Sequence, residues 1–302
     1  MKHLLLLGVM MILALGTVSA HDSTATPAAP ENGYVVNLST EPKAIEANRP
    51  FALTVTILQA DGKTPVAAFD EVHTKLLHFI LVTDDLTQFI HVHPDYQGDG
   101  VFVLKDLILP TAANYVTFAD FTPAGDKQHF VRNTLTVSGA AVQKPNLNVS
   151  PAEFTVGDLK VVLANAEVFK AGSETHLQFH VTDAKTGAEV NTLDEYLGAA
   201  GHLVIIDQTT QVYIHTHPAG HDMDTMSGMA GMSDMATPTA AMSGMDMPTQ
   251  YGPDIDFMTE FPSAGLWSMW LQIQYKGDIY TFPFVVDVTD NVEATSEPHA
   301  HG

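Results

Sequence analysis

The sequence predicts an all-β protein made of two tandem immunoglobulin-like β-sandwich domains that arose by internal duplication. Three observations indicate this fold. Short apolar stretches alternate with polar residues and are separated by turn signals, no long helical period interrupts them, and the second half of the chain repeats the first. Many short strands at regular spacing are typical of a β-sandwich.

The strands of the first copy follow from the alternating pattern and its turns. Gly- and Asp-containing turns, such as 60–63 and 97–100, separate the apolar stretches. The predicted strands are Tyr34–Leu38, Phe51–Leu58, Leu77–Val82, Phe89–His93, Val101–Leu104, Tyr115–Ala119 and Asn133–Val137.

The repeat is clearest in the histidines. His78-x12-His91-x-His93 returns as His202-x12-His215-x-His217, at an offset of 124 residues. The offset needs no gap from 34–94 to 158–218. Further on, 109–118 aligns with 261–270 at an offset of 152, so the second copy carries 28 extra residues. Two consecutive aligned blocks indicate two related domains.

Six segments follow from these patterns. Residues 1–20 read as a secretory signal, with Lys2, an apolar core and a small-residue cleavage site ending at Ala20. We predict a leader at 21–33, a first domain at 34–139, a linker at 140–150, a second domain at 151–290 with a Met-rich insertion at about 219–250, and a tail at 291–302. The apolar run is too short for a membrane span, which predicts a periplasmic or secreted protein.

Composition limits the function classes. The chain has 302 residues, no cysteine and a net charge of -22, which argues against a nucleic-acid partner because such a partner requires a basic surface. Without thiolates, the metal ligands available are histidine, methionine and carboxylate. Cleavage after Ala20 would make His21 the N-terminal residue, which either chelates Cu(II) or merely begins the leader.

The histidine spacing suits a β-hairpin. If the turn centres between residues 85 and 86, His78 lies opposite His93 and Ile80 opposite His91, so that three imidazoles share one face. The same construction in the second copy gathers His202, His215 and His217. Apolar residues fill the reverse faces: Phe79, Leu81, Ile90 and Val92 in the first copy, and Leu203, Ile205, Val212 and Ile214 in the second.

Three neutral imidazoles on rigid strands are a suitable ligand set for Cu(II), with zinc as an alternative. Asp120 and His129 are predicted as further ligands in the first copy; the residue that matches Asp120 in the second copy is Gln272, a poor ligand. The competing interpretation is that the histidines are structural and were retained because the fold was copied. His73 is expected on the surface.

The insertion is rich in methionine and lacks Leu, Ile and Val, which excludes a buried helix. Thioethers are soft ligands that select Cu(I), so we predict a Cu(I)-binding loop; the alternative is a low-complexity loop without ligand. The predicted ligands are His221, Met223, Met226, Met229, Met232, Met235, Met242, Met245 and Met247.

Several stretches resemble known families. The segments 77–94 and 118–125 are similar to exported bacterial proteins of the YtkA-like, immunoglobulin-like class. This resemblance implies a β-sandwich and a place in envelope copper handling. The Met-rich segment is similar to loops of CopC-type copper-resistance proteins, although here it lies late in a second domain.

Together these features predict an exported protein that captures, buffers or delivers copper, without catalysis. Its expected partners are metal ions and another envelope copper protein. Two alternatives remain at this stage: a structural β-sandwich module that binds no metal, and a copper-dependent oxidoreductase. The absence of cysteine argues against a blue-copper centre in the latter.

Overall fold

The computed structural model describes residues 33–140, 143–166, 169–218 and 250–291. The predicted signal, almost all of the leader and tail, and nearly the whole Met-rich insertion lie outside these ranges. The predicted ligands of the insertion, His221, Met223, Met226, Met229, Met232, Met235, Met242, Met245 and Met247, therefore lie outside the described residues, as does His21.

The first domain is a sandwich of two sheets, as predicted. One sheet has the order β1 (Tyr34–Glu41), β3 (Pro50–Gln59), β8 (Val101–Ile108) and β7 (Asp95–Gly98). The other has the order β2 (Ile45–Glu46), β10 (His129–Ser138), β9 (Asn114–Pro123), β5 (Leu77–Thr83) and β6 (Phe89–Val92), with β4 (Phe69–Asp70) pairing to β9.

The second domain repeats this architecture. Its first sheet has the order β11 (Glu153–Val156), β12 (Leu159–Leu163), β14 (Glu174–Asp183) and β19 (Asp254–Glu260). The second sheet contains β13 (Phe169–Lys170), β21 (Asp278–Thr289), β20 (Gly265–Tyr275), β15 (Leu193–Asp194) and β18 (Gln250–Tyr251), and also β16 (His202–Asp207) and β17 (Tyr213–Thr216), which join it through β20.

Each domain has its own apolar core between its two sheets. In the first domain, Phe79 and Leu81 of β5 point into this core, and in the second Leu203 and Ile205 of β16 do the same. Burying such a side chain contributes about 1.5–3 kcal/mol. The apolar residues predicted behind the histidines are thus confirmed. Within the described ranges, no helix has the length and apolarity that a membrane crossing requires.

A third apolar cluster joins the two domains. It brings Ile80, Val82 and Phe118 of the first domain together with Val204, Ile206 and Trp270 of the second. The strands β5 and β16 are buried along their whole length, which explains why their sequences are nearly continuous apolar runs rather than alternating ones. The face that carries the histidines is therefore the interface between the domains.

This interface has approximate twofold symmetry. The ring of Phe89 stacks on Trp270 at 4.9 Å between centroids, and Tyr213 stacks on Phe118 at 4.7 Å. In the repeat alignment Phe89 matches Tyr213, and Phe118 matches Trp270, so the two stacks are reciprocal. Arg132 adds a cross-domain bond by donating from Nε to the carbonyl of Thr210 at 2.7 Å. Equivalent patches on the two copies thus pack against each other, as in an isologous dimer interface.

Candidate metal centre between the domains

The predicted hairpin register is confirmed in both domains. Ile80 pairs with His91 across β5 and β6, and Val204 pairs with His215 across β16 and β17. Continuing each register by two residues places His78 opposite His93 and His202 opposite His217. Because side chains alternate along a strand, all these histidines lie on the interface face.

Three imidazoles of the first domain converge on one point. His78 Nδ1 lies 3.1 Å from His91 Nε2 and 3.2 Å from His93 Nε2. We call these three residues the first-domain triad. Nitrogens that bind one ion tetrahedrally at 2.0–2.1 Å are about 3.4 Å apart, so the spacing is close to that of a metal ligand set.

The second domain repeats the arrangement. His202 Nδ1 lies 3.1 Å from both His215 Nε2 and His217 Nε2. These residues form the second-domain triad. The two triads are neighbours across the interface, with ring centroids of His78 and His215 5.0 Å apart. A set of ligand atoms from His78, His91 and His215 lies mutually within 4.8 Å.

The outer nitrogens of the first-domain triad determine where its protons are. His78 Nε2 lies 3.0 Å from the carbonyl oxygen of Val72, so Nε2 carries the proton and donates it. His91 Nδ1 lies 2.7 Å from Gln272 Oε1 and must likewise donate. The other end of the Gln272 amide, Nε2, donates to Thr281 Oγ1 at 3.2 Å. In the neutral rings, His78 Nδ1 and His91 Nε2 therefore face each other with lone pairs.

Two lone pairs 3.1 Å apart repel each other, and a cation that both nitrogens ligate removes this repulsion. Hydrogen bonds from the second nitrogen of a histidine to carbonyl or carboxylate oxygens are the usual support of a metal-ligating imidazole. The second-domain triad is supported in the same way: His202 Nε2 lies 3.1 Å from the carbonyl of Tyr196, and His215 Nδ1 lies 3.0 Å from Asp120 Oδ2. The residues present therefore fit a metal ion.

Asp120 supports a ligand rather than acting as one. Its Oδ2 accepts hydrogen bonds from His215 and from the Tyr213 hydroxyl, each at 3.0 Å, and its Oδ1 accepts from Gln128 at 2.7 Å. Burial, the largest influence, opposes ionisation, but the hydrogen bonds that Asp120 accepts, above all the one from His215, hold the pKa of Asp120 below its ordinary value. The expectation that Asp120 supplements the first-domain triad is wrong, because its Oδ2 is already bonded across the interface and its Oδ1 is bonded to Gln128 of its own domain.

His129 is also excluded as a ligand of the triads. It pairs with Phe121 in the β9–β10 ladder, one position away from the interface-facing Asp120, so alternation turns its ring toward the other face of the sheet. There His129 Nε2 bonds Asp126 Oδ2 at 3.1 Å, and its ring packs on Tyr34. The sequence-based prediction for His129 is wrong because it did not follow the alternation along β10.

Five imidazoles of the triads are held in their neutral, ligand-competent form: His78, His91, His93, His202 and His217. Burial lowers the pKa of His78 to about 3, with further lowering from His215 and His91. Burial also lowers the pKa of His93 to about 3. It lowers the pKa of His91, His202 and His217 well below the ordinary value, and neighbouring imidazoles add to the effect. A neutral imidazole is the form that binds metals.

Sequence reasoning missed three residues at this centre. Gln272 and Tyr213 bond the cluster as described, and their role becomes visible only once the domains are packed together. His73 was expected on the surface, but its ring stacks on His217 with centroids 3.3 Å apart. No signal from the duplication could have found it, because the second copy has Leu197 at the matching position.

Comparisons with known proteins identify a family but no activity. A family model described as Domain of unknown function (DUF8832) matches residues 28–139 and 154–290. No curated protein matches the sequence significantly. The resemblance to YtkA-like and CopC-type proteins is not addressed by these matches and stays a prediction.

Solved structures give distant matches. A mutant of Salmonella alpha-2-macroglobulin has 9% identity and a TM-score of 0.26, and the match covers 87% of this chain but 15% of that protein. Domains 4 and 5 of the S-layer protein SbsC have 10% identity and a TM-score of 0.24, over 84% of this chain and 97% of the other. A bacterial ice-binding adhesin has 11% identity and a TM-score of 0.22, over 86% and 66%. Scores this low carry no functional argument.

Proposed function

We propose that this chain, which belongs to the family described as Domain of unknown function (DUF8832), is an exported protein that binds copper in the histidine centre between its two domains. The observation that carries the proposal is the pair of facing lone pairs in the first-domain triad, 3.1 Å apart and fixed by Val72 and Gln272. Structural histidines would instead place a hydrogen between such nitrogens.

Copper is favoured over zinc by the donor set of the whole chain. The triads offer uncharged nitrogen donors that suit Cu(II), and the insertion offers thioethers that select Cu(I). The insertion directly follows Pro218, one residue after His217 of the second-domain triad. The methionines would capture Cu(I) and the triads would hold copper for buffering or for delivery to another envelope copper protein.

The export part of the proposal depends on the N-terminal segment. Its charged start, apolar run and small-residue site are those of a secretory signal, which supports a periplasmic or secreted location. A net charge of -22 favours the approach of cations.

One experiment is expected to separate the contribution of the histidines to copper binding from that of the methionines. Replacing the eight methionines Met223 to Met247 with serine should abolish most Cu(I) binding and leave Cu(II) binding at the triads unchanged, because the two ligand sets occupy different parts of the chain. Replacing His78 and His202 with alanine should abolish most Cu(II) binding and leave Cu(I) binding at the insertion unchanged. Binding is measured by competition with a Cu(I)-specific and a Cu(II)-specific chelator.

Wild-type protein that binds neither ion at micromolar concentration would contradict the proposal and leave a duplicated structural module. Binding of Cu(II) that survives the loss of both His78 and His202 would show that the triads are not the site. His176 and His180, which pair with Asp256 and Asp254 on the outer sheet, provide the control: their replacement with asparagine should change neither affinity.

A further inference from the structure

The approximate twofold symmetry relates the two triads to each other. A contact made by His73 has no equivalent on the other side and makes the surroundings of the two triads different. Before each triad lies a tight two-residue turn, His73-Thr74 in the first domain and Leu197-Gly198 in the second, all four with positive φ. The turns are closed by the isolated bridges Val72–Lys75 and Tyr196–Ala199. The turns meet across the axis, since a Cβ on Gly198 would lie 3.6 Å from Thr74 Cγ2.

One of these turns brings an imidazole to the opposite domain. His73 stacks on His217 and lies edge-on to His202 at 5.4 Å between ring centroids. One ligand atom from each of His73, His202 and His217 lies within 4.8 Å of the others. Under the symmetry, the residue that matches His73 is Leu197, and an isobutyl group cannot coordinate a metal.

The surroundings of the first-domain triad differ accordingly. A cleft of about 190 Å³ reaches His93 and is bordered by Glu71, Lys75 and Asp95. His93 is only partly buried, whereas its counterpart His217 is buried, with 7% of its surface exposed. Metal sites that are fully ligated by the protein hold an ion, whereas sites with three protein ligands leave a position for water or another ligand.

We propose that His73 is a ligand of the second-domain triad, so that this site closes around its ion with four imidazoles drawn from both domains, while the first-domain triad keeps one open coordination position. The inference rests on the proposed metal-binding function. Ligation requires His73, which is only partly buried, to rotate out of its stack on His217. The closed site then retains its copper, and the site beside the cleft exchanges copper with an external ligand.

The test uses the full-length mature protein with Cu(II) as the probe. His73→Asn removes the imidazole and keeps a residue type that tolerates positive φ; His73→Phe keeps a flat ring for stacking without a nitrogen. Chelator competition measures the affinity of each bound ion, and pulsed electron paramagnetic resonance counts the coordinated imidazoles. Both variants should bind one of the two ions about tenfold more weakly or worse, with one imidazole fewer, because loss of even an outer-shell partner has an effect of this size.

The matched variants are at position 197. Leu197→Asn should change the affinity for neither ion. Leu197→His should add an imidazole to the first-domain site and raise the affinity of that site for its ion. If wild-type protein binds copper but both His73 variants keep its affinities and imidazole counts, the inference is wrong and His73 only stacks. If wild-type protein binds no Cu(II), the proposed function itself fails, together with this inference.

Discussion

Metal-free protein is expected to unfold cooperatively between about pH 6 and pH 4. Burial lowers the pKa of His78 and His93 to about 3, and it lowers that of His91, His202 and His217 well below the ordinary value. The unfolded chain binds protons on these rings near pH 6.5, whereas the folded protein does not. Their stabilisation is therefore complete above pH 6.5 and is lost as the pH falls toward the folded pKa.

The expected loss of folding stability is large. Each such histidine removes about 1.4 kcal/mol per pH unit in this window, so five remove about 7 kcal/mol per unit, against a total stability of ~5–15 kcal/mol. Bound copper should shift the midpoint to lower pH because it keeps the rings deprotonated. Far-ultraviolet circular dichroism against pH, with and without Cu(II), measures both midpoints.

The control for the acid transition replaces two histidines that lie away from the interface. His176→Asn with His180→Asn, on the outer sheet of the second domain, should keep the midpoint of the parent protein. A metal-free midpoint below about pH 3.5 would contradict the account, because loss of stability there reports protonation of carboxylates, whose ordinary pKa values lie near 4, and not of the triads.

Tyr213→Ala is expected to destabilise the protein by about 3–5 kcal/mol, the usual loss for a large aromatic side chain truncated in a core. The ring of Tyr213 is buried in the interdomain cluster and stacks on Phe118. Its hydroxyl also donates to Asp120 at 3.0 Å. Tyr213→Phe keeps the ring and removes only this bond to a charged group, which should cost about 1.5–3 kcal/mol. Urea denaturation of the metal-free protein measures both losses.

Ile279→Ala is the control for the truncation, since Ile279 is 52% exposed and surface substitutions usually change stability by less than about 0.5 kcal/mol. A loss for Tyr213→Ala that is no larger than that of Ile279→Ala would show that the domains do not depend on their shared apolar face. A loss for Tyr213→Phe near zero would show that the bond to Asp120 contributes nothing net.

Local patterns predicted much of the fold and of the triads. The spacing of His78, His91 and His93 is set by a single hairpin, so strand alternation and one assumed turn were enough to place them on one face. The duplication then carried the same result to His202, His215 and His217. Both steps depend on contacts close in sequence, which is where pattern reasoning is strongest.

The packing of the two domains could not be predicted in the same way. Strand β5 reads Leu-His-Phe-Ile-Leu-Val-Thr, with apolar residues on both faces. That pattern indicates a strand buried on both sides, but it does not say what covers the second face. The roles of Asp120, Gln272 and His73 all depend on the opposite domain, and for this reason they were misassigned or missed.

The most direct test of the account is to locate copper in crystals of the copper-loaded protein by anomalous diffraction at the copper edge. We expect two peaks between the domains, each about 2.0–2.1 Å from its imidazole nitrogens, one at the triad of His78, His91 and His93 and the other at the triad of His202, His215 and His217. An interface without anomalous density, in crystals that hold copper elsewhere on the chain, would contradict it.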